Sequence, residues 1–425
     1  MIYKIDNFFI TDNTYECNKD TFFLKTAQNE KYLKNLNPQN IKGIITPKEL
    51  IKRLGIGSLQ IVGITGTNGK TTTAGAIYSI LLDLGYKVAM QGTRGFFINE
   101  EKVEGKSLTT PSIFQTILHL KEAKKRECEY FIMEVSSHAI EQNRIEGIEF
   151  ALKVFTNISQ DHLDYHKTMQ EYKRVKSSFF SDESDKLINK DGGKIDFNIK
   201  NARSYSLEYP ATYKIEAYSM QNGLQAVLKH FDKFVEFSSP LVGLFNLYNI
   251  TAAIASVDII TNNSLEEIVE VTNNFAGVSG RMQVVSEEPL IVVDFAHTPD
   301  GMQKVFEAVK ERDISVVFGA GGDRDKSKRV LMGRVASKYA KKIYVTSDNP
   351  RNEEPLDIIK DIVHGIDNPN TLIIPDRKQA IKRAIKELDK NEILLILGKG
   401  DEEYQDIKGE KIPFSDIEVV NSVIS

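Results

Sequence analysis

One run constrains this chain more than any other: Ile61-Val62-Gly63-Ile64-Thr65-Gly66-Thr67-Asn68-Gly69-Lys70-Thr71-Thr72-Thr73. An apolar strand leads into a glycine-rich turn, and helical periodicity predicts a helix from Thr71 to about Leu84, stopping before Gly85. Gly66 and Gly69 let backbone N–H groups approach phosphate oxygens, and the helix N-terminus adds partial positive charge. In such a loop Lys70 reaches the β- and γ-phosphates, and the Thr71 hydroxyl binds Mg2+. The strict consensus has glycine where this chain has Ile64, so the loop is a variant form. It specifies a nucleoside triphosphate and leaves the reaction open.

A phosphate loop of this kind belongs to an α/β fold with a mainly parallel sheet. From Leu59 onward, apolar runs of strand length alternate with helical stretches; strands are expected at Leu59–Ile64, Tyr86–Met90, Tyr130–Val135 and Leu152–Thr156. The region 181–235 reads as more β-rich and antiparallel, and Asn246–Ile260 as a helix. A second alternating series has strands expected at Leu290–Val293, Ser315–Phe318, Ile343–Thr346, Thr371–Ile374 and Ile393–Leu397. The 425 residues, at roughly 150 per domain, predict about three domains. The expected partition is 1–56, a small N-terminal α/β domain; 57–279, a central phosphate-loop domain; and 280–425, a C-terminal Rossmann-like α/β domain.

Charge and cysteine content narrow the functional classes. Lys+Arg 55 against Asp+Glu 59 leaves no basic excess to neutralise a phosphate backbone, so nucleic acid is not expected as a partner. Cys17 and Cys128 have no metal-ligand spacing and form no disulfide framework, which fits a reducing compartment. The opening residues lack a basic, then apolar, signal pattern, and the longest apolar runs are of strand length, far below the ~20 residues of a membrane span. A cytoplasmic protein is expected.

Two further motifs carry chemistry. Phe131-Ile132-Met133-Glu134-Val135-Ser136-Ser137-His138 places Glu134 at the carboxyl end of a strand, within reach of an Mg2+ held by Thr71. The segment Phe155-Thr156-Asn157-Ile158-Ser159-Gln160-Asp161-His162-Leu163-Asp164-Tyr165-His166 gathers two His and two Asp after another strand. A second divalent-ion site is the expectation, because phosphoryl transfer to an anionic acceptor requires screening of like charge. By pattern alone, Lys176 is a solvated lysine on the amphipathic helix that follows.

Taken together, the motifs resemble the Mur ligase family of ATP-dependent amide-forming enzymes in bacterial cell-wall precursor synthesis. The residues that carry the resemblance are Gly66-Thr67-Asn68-Gly69-Lys70-Thr71-Thr72, Glu134-Val135-Ser136-Ser137-His138 and Asp161 to His166. Further on are Asn246-Leu247-Tyr248-Asn249, Gly280-Arg281-Met282, Asp294 to Pro299 and Gly321 to Lys326. Within the family, Asp348-Asn349-Pro350-Arg351 is similar to the motif of the form that adds meso-diaminopimelate to UDP-N-acetylmuramoyl-L-alanyl-D-glutamate. A planar Arg351 suits the second carboxylate of that amino acid, which L-lysine lacks.

The resemblance implies roles residue by residue. Lys176 would be carbamylated and, with Glu134 and His162, would hold a second Mg2+; Lys70 and Thr71 would serve ATP and the first ion. Asn249, Arg281 and His297 match positions around ATP, while Thr109, Thr110, Ser136, Gln142 and Arg144 match contacts to the muramoyl dipeptide. Arg324, Asp348, Asn349, Pro350, Arg351, Gly398 and Glu402 would form the diaminopimelate pocket. The enzyme is expected to act as a monomer with two Mg2+ ions. Asp401 stands where the family commonly has histidine, and Thr11-Asp12-Asn13-Thr14 matches the family's uridine-binding turn only loosely.

Three alternatives remain at this level: the L-lysine-adding form, a folylpolyglutamate-type synthetase, and a nucleotide switch or motor. The Asp348–Arg351 motif argues against the first and the Glu134–His138 run against the second. The third lacks both an Asn-Lys-x-Asp guanine reader and a Leu-Ser-Gly-Gly signature.

Overall fold

A computed structural model describes residues 2–5, 7–106, 108–221 and 223–424. Among these residues the strands form four sheets, and each of the three larger ones is built on a different part of the chain. The first is four-stranded, in the order Tyr3–Ile5, Phe8–Thr11, Thr21–Leu24 and Gly43–Ile45. It packs through Ile5, Phe8, Ile10 and Leu24 into the same apolar cluster as Phe131 and Phe155 of the next sheet and Phe114 of the helix Ile113–Lys125.

The central sheet has eleven strands and is parallel where the chemistry lies. Gln60–Thr65 sits between Leu152–Phe155 and Tyr130–Glu134, with Thr65 opposite Phe155 and Ile64 opposite Glu134. Parallel pairing with both faces covered explains the near-continuous apolar character of these strands. It also brings the carboxyl ends of three strands to one edge, where ligands bind in sheets of this kind. The helices Lys70–Asp83 and Leu244–Ile260 share one face of the sheet through Ile77, Ile80, Leu247, Ile250 and Ile254.

The expected antiparallel character of 181–235 holds for only part of that region. Lys186–Asn189 and Ala202–Ser206 extend the parallel sheet, and only Tyr213–Ser219, Leu224–His230 and Lys233–Ser239 pair antiparallel with one another. The alternation in Tyr213–Ser219 and its partners marks a half-exposed ribbon, whereas Lys186–Asn189 is buried along its whole length despite its polar ends. Gly95–Ile98 and Glu101–Glu104, unforeseen from the sequence, add an antiparallel hairpin at the other edge.

The C-terminal sheet has six strands rather than the expected five. Gln283–Glu287 joins antiparallel at the edge; the order then runs Leu290–Asp294, Glu392–Leu397, Asp313–Phe318, Lys342–Val345 and Thr371–Ile373, all parallel. A separate hairpin, Tyr404–Ile407 with Glu410–Pro413, lies beyond the last central strand. No helix among the described residues is long and apolar enough to cross a membrane.

The end of the chain is fastened to this lobe by charge. Arg377 is fully buried and donates two bonds to the Asp416 carboxylate, at 2.7 Å each, and a third to the Leu397 carbonyl oxygen at 3.0 Å. Removing one member of a buried pair leaves the other charge uncompensated. Arg377→Ala is therefore expected to lower unfolding free energy by about 3–5 kcal/mol, read as a shifted urea midpoint; a midpoint unchanged from wild type would show the pair to be dispensable.

Candidate active site

The phosphate loop is shaped by what surrounds it. Gly69 caps the helix Lys70–Asp83 in the left-handed region, at φ 84°, and a Cβ there would come within 2.3 Å of Asn249 Oδ1. Only glycine satisfies both conditions. The loop is pinned to the adjacent strand end: Thr156 Oγ1 donates to the Asn68 carbonyl at 2.7 Å, and Asn68 N–H donates to Asn157 Oδ1 at 2.9 Å. Thr72 is buried in the first helical turn.

Lys70 folds over this loop and donates to the carbonyls of Gly66, at 2.8 Å, and Thr67, at 2.9 Å. The Thr71 hydroxyl donates to Glu134 Oε2 at 2.9 Å, so hydroxyl and carboxylate face one another at the helix N-terminus. Glu134 is aimed from the other side by Thr93, whose backbone N–H donates to Oε1 at 2.9 Å. Sequence reasoning missed Thr93, which has no motif of its own.

Lys176 departs from the solvated lysine that its helix pattern predicts. It is 1% exposed, lies against the Tyr172 ring, and donates to the Gly66 carbonyl at 3.0 Å and to Thr65 Oγ1 at 3.3 Å. The Nζ atoms of Lys70 and Lys176 thus share one carbonyl oxygen. Burial, reinforced by Lys70 and only partly opposed by Asp161, pulls Lys176 well below the ordinary lysine range. Burial thus acts against the ammonium and toward the neutral amine.

The histidine-rich segment separates into different tasks. His162 takes a left-handed backbone conformation, φ 54°, and stands edge-on to His138 with ring centres 4.9 Å apart. Burial, resisted by Asp161 and reinforced by His138, Lys70 and Lys176, pushes His162 down to about 3, so its imidazole is neutral at neutral pH. His166 is buried and bonded to Ser137 Oγ at 2.9 Å, and Asp161 is bonded to Lys328 at 3.0 Å. The four charged or imidazole groups of this run therefore do not form a single ligand set. Among the described residues no three His, Cys, Asp or Glu side chains gather as a metal site.

Next to Glu134 lies a second hydrogen-bonded group. Thr110 Oγ1 donates to the Glu134 carbonyl at 2.9 Å and accepts from Ser136 N–H at 3.0 Å. Arg144 donates to the Thr110 carbonyl at 3.0 Å and to Gln142 Oε1 at 2.6 Å, while the Thr109 and Thr93 hydroxyls lie 3.0 Å apart. Thr93, Thr109, Thr110, Ser136, Gln142 and Arg144 are thereby linked by hydrogen bonds beside Glu134.

The C-terminal lobe faces this centre. Arg281 stacks its guanidinium 4.2 Å over Phe295, and the half-buried His297 meets the same ring edge-on. A cavity of about 140 Å³ is lined by His162 and His297 together with Arg324, Asp348, Asn349, Arg351, Gly398 and Glu402. Pro350 is buried beside Asp348 and Asn349, and its carbonyl lies 1.9 Å from where a Gly322 Cβ would stand. Arg351, at φ 50°, is held by the hairpin: its N–H donates to the Asp406 carbonyl and its carbonyl accepts from Lys408. Its side chain donates to the Gly322 carbonyl at 2.6 Å. Glu402 accepts from Asn349 at 2.9 Å and Lys399 at 2.8 Å. A larger cavity, of about 1170 Å³, lies between Tyr3, Leu54 and the helix Ile113–Lys125 and contains none of the motif residues.

The two lobes also touch directly, through residues to which the sequence reading gave no such role. Asp161 pairs with Lys328, Arg324 approaches Asp164 at 3.6 Å, and Asn68 donates to Asp300 Oδ2 at 2.8 Å. Such pairs cannot be read from one sequence, because their members lie 160 or more positions apart.

Comparison with known proteins accounts for this arrangement. The Mur ligase middle domain matches residues 64–257, and the Mur ligase glutamate ligase domain matches residues 280–400. A Wolinella succinogenes protein named UDP-N-acetylmuramoyl-L-alanyl-D-glutamate–2,6-diaminopimelate ligase is 52% identical over 98% of this chain and 96% of its own length. A Helicobacter pylori protein of the same name is 49% identical over 97% and 94%. A solved structure of a ligase with that name superposes with a TM-score of 0.68 at 28% identity, covering 99% of this chain and 97% of the other. Mycobacterium tuberculosis folylpolyglutamate synthase shares the fold, with a TM-score of 0.69, at 15% identity over 83% of this chain and 91% of its own. With both family domains matched and near-full-length relatives about half identical to it, the chain belongs to the Mur ligase family.

Proposed function

We propose that this protein joins meso-diaminopimelate to UDP-N-acetylmuramoyl-L-alanyl-D-glutamate at the expense of ATP, in peptidoglycan precursor synthesis. The observation that carries the reading is the cavity in which Arg351, Asp348, Asn349 and Glu402 face His162 across the lobe boundary. The near-full-length relatives bearing that name support it. In this reading residues 1–56 receive the UDP end, 57–279 bind ATP and 280–425 present the amino acid.

The γ-phosphoryl group of ATP passes to the γ-carboxylate of the D-glutamyl residue, the bond to the β-phosphate breaks, and ADP leaves. The resulting acyl phosphate is attacked by an amine of diaminopimelate; the new C–N bond forms, phosphate departs and the amine proton is lost. Lys70, released from the Gly66 and Thr67 carbonyls by phosphate oxygens, follows the charge on the transferring group. Asn249, Arg281 and His297 are assigned to ATP, with Gly66, Thr67, Asn68, Gly69, Thr71 and Thr72 around its phosphates. Thr109, Thr110, Ser136, Gln142 and Arg144 hold the dipeptide beside Glu134. Closure of the lobes excludes the water that would hydrolyse the intermediate.

Thr71 with Glu134 fits one Mg2+, the hydroxyl and carboxylate already converging. A second ion, near Glu134 and His162, needs a further anionic ligand that the unmodified side chains do not supply. Lys176 supplies it once its neutral amine adds carbon dioxide, losing a proton and becoming an N-carboxylate. Bound divalent ions screen the repulsion between the triphosphate and the acceptor carboxylate. Arg351 receives the distal carboxylate of diaminopimelate and Glu402 its ammonium, with Arg324 and Gly398 completing the pocket.

Incubation with ATP, Mg2+ and the UDP-dipeptide should give phosphate and the tripeptide mass with meso-diaminopimelate and little with L-lysine; equal turnover of both contradicts the assignment. Arg351→Ala should raise the diaminopimelate KM by about tenfold or more while leaving the ATP KM near wild type, on the scale of a lost bidentate ion pair. An unchanged diaminopimelate KM removes Arg351 from the pocket. Lys176→Ala should lose activity by at least about a hundredfold, the scale for a lost charge-stabilising group, and recover part of it with acetate or formate. Absence of any recovery counts against the carboxylate.

A further inference from the structure

We propose that Asp401 is a positioning residue for the amino-acid acceptor: with Arg94 and Lys106 it forms a charged clasp that seats the loop 398–402 on the central sheet. The proposal rests on the function assigned above. Asp401 Oδ2 lies 3.1 Å from Lys106 Nζ and 3.6 Å from Arg94 Nε, and Lys106 also donates to the Asp401 backbone carbonyl. The three side chains are 17%, 26% and 28% exposed, so solvent screens their attraction incompletely. One carboxylate thus balances two cations contributed by another lobe, which a neutral imidazole at position 401 would not do.

The placement of the clasp gives it a function beyond adhesion. Arg94 directly follows Thr93, the residue whose N–H aims Glu134 Oε1. Asp401 directly precedes Glu402, whose carboxylate holds Lys399 and Asn349 at the cavity. Gly280 presses on the same loop: a Cβ there would lie 2.2 Å from the Asp401 backbone nitrogen. The segment that orients the ion-facing carboxylate and the segment that lines the amino-acid cavity are therefore joined by a single charge contact. Arg94 and Lys106 do not line that cavity. Among the described residues Arg94 Nε and Asp401 Oδ2 have no hydrogen-bond partner, so the contact depends on charge and on the present placement of the lobes.

Asp401→Asn keeps the size and removes the charge. The clasp predicts that the diaminopimelate KM rises about tenfold, within the usual range for coupled sites, while kcat stays within about threefold and the ATP KM is unmoved. Asp401→Glu should restore most of the affinity. Lys106→Gln should raise the same KM, and combining it with Asp401→Asn should cost less than the sum of the two, since they share the Lys106–Asp401 pair. In parallel, X-ray scattering with a non-hydrolysable ATP analogue and Mg2+ should show a larger radius of gyration for Asp401→Asn than for wild type at an unchanged melting temperature. Wild-type KM and scattering in Asp401→Asn overturn the clasp. Should the wild-type protein make no tripeptide, the assigned function falls, and the scattering comparison alone decides the clasp: expansion supports it, identity of the two profiles overturns it.

Discussion

Two lysine side chains meet at one carbonyl oxygen, and the rest of the site is arranged around that crowding. Lys70 and Lys176 both donate to Gly66 O, at 2.8 and 3.0 Å, with Lys176 buried and Lys70 half-buried. Burial pulls both lysines below their ordinary range, and Glu134 and Asp161 compensate Lys70 only in part. Charge buried in this way is tolerated when an anion arrives or when one amine gives up its proton. In the function proposed above, a triphosphate at Lys70 and a carboxylated Lys176 would relieve it together, linking nucleotide binding to the lysine chemistry through one backbone atom.

That atom is where it is because the sheet holds it there. Strand pairing sets Thr65 beside Phe155 and Ile64 beside Glu134, and Thr156 and Asn157 fasten the loop just beyond the strand ends. The C-terminal lobe then reaches the same edge through Lys328 on Asp161 and Asp300 on Asn68. A cavity that includes His162 of one lobe and Arg351 of the other follows from those contacts. Activation and acceptor binding are thereby brought to one place without a covalent link between them.

Much of this was legible in the sequence, for identifiable reasons. The phosphate loop announces itself because its constraints are local: a strand, two glycines, Gly-Lys-Thr and a helix within thirteen positions. Strand-length apolar runs likewise located Gln60–Thr65, Tyr130–Glu134 and Glu392–Leu397 to within a residue or two. Lys176 was the opposite case. Its helix is amphipathic and polar enough that solvent exposure is the natural reading, and only the fold buries it under Tyr172. Thr93, Lys328 and Asp300 gave no signal of this kind, because each acts by meeting a residue far away in the chain. The parallel strands at Lys186–Asn189 and Ala202–Ser206 were masked by intervening polar segments that look like antiparallel turns.

The central claim is that Lys176 carries a carboxylate in the working enzyme. Carbon-13 NMR of the protein equilibrated with labelled bicarbonate tests it most directly, with Lys176→Ala as the control. A carbamate resonance present in the wild-type protein and absent from the variant is the result this account predicts. A wild-type spectrum without that resonance, from protein that still forms product at full rate, would contradict it.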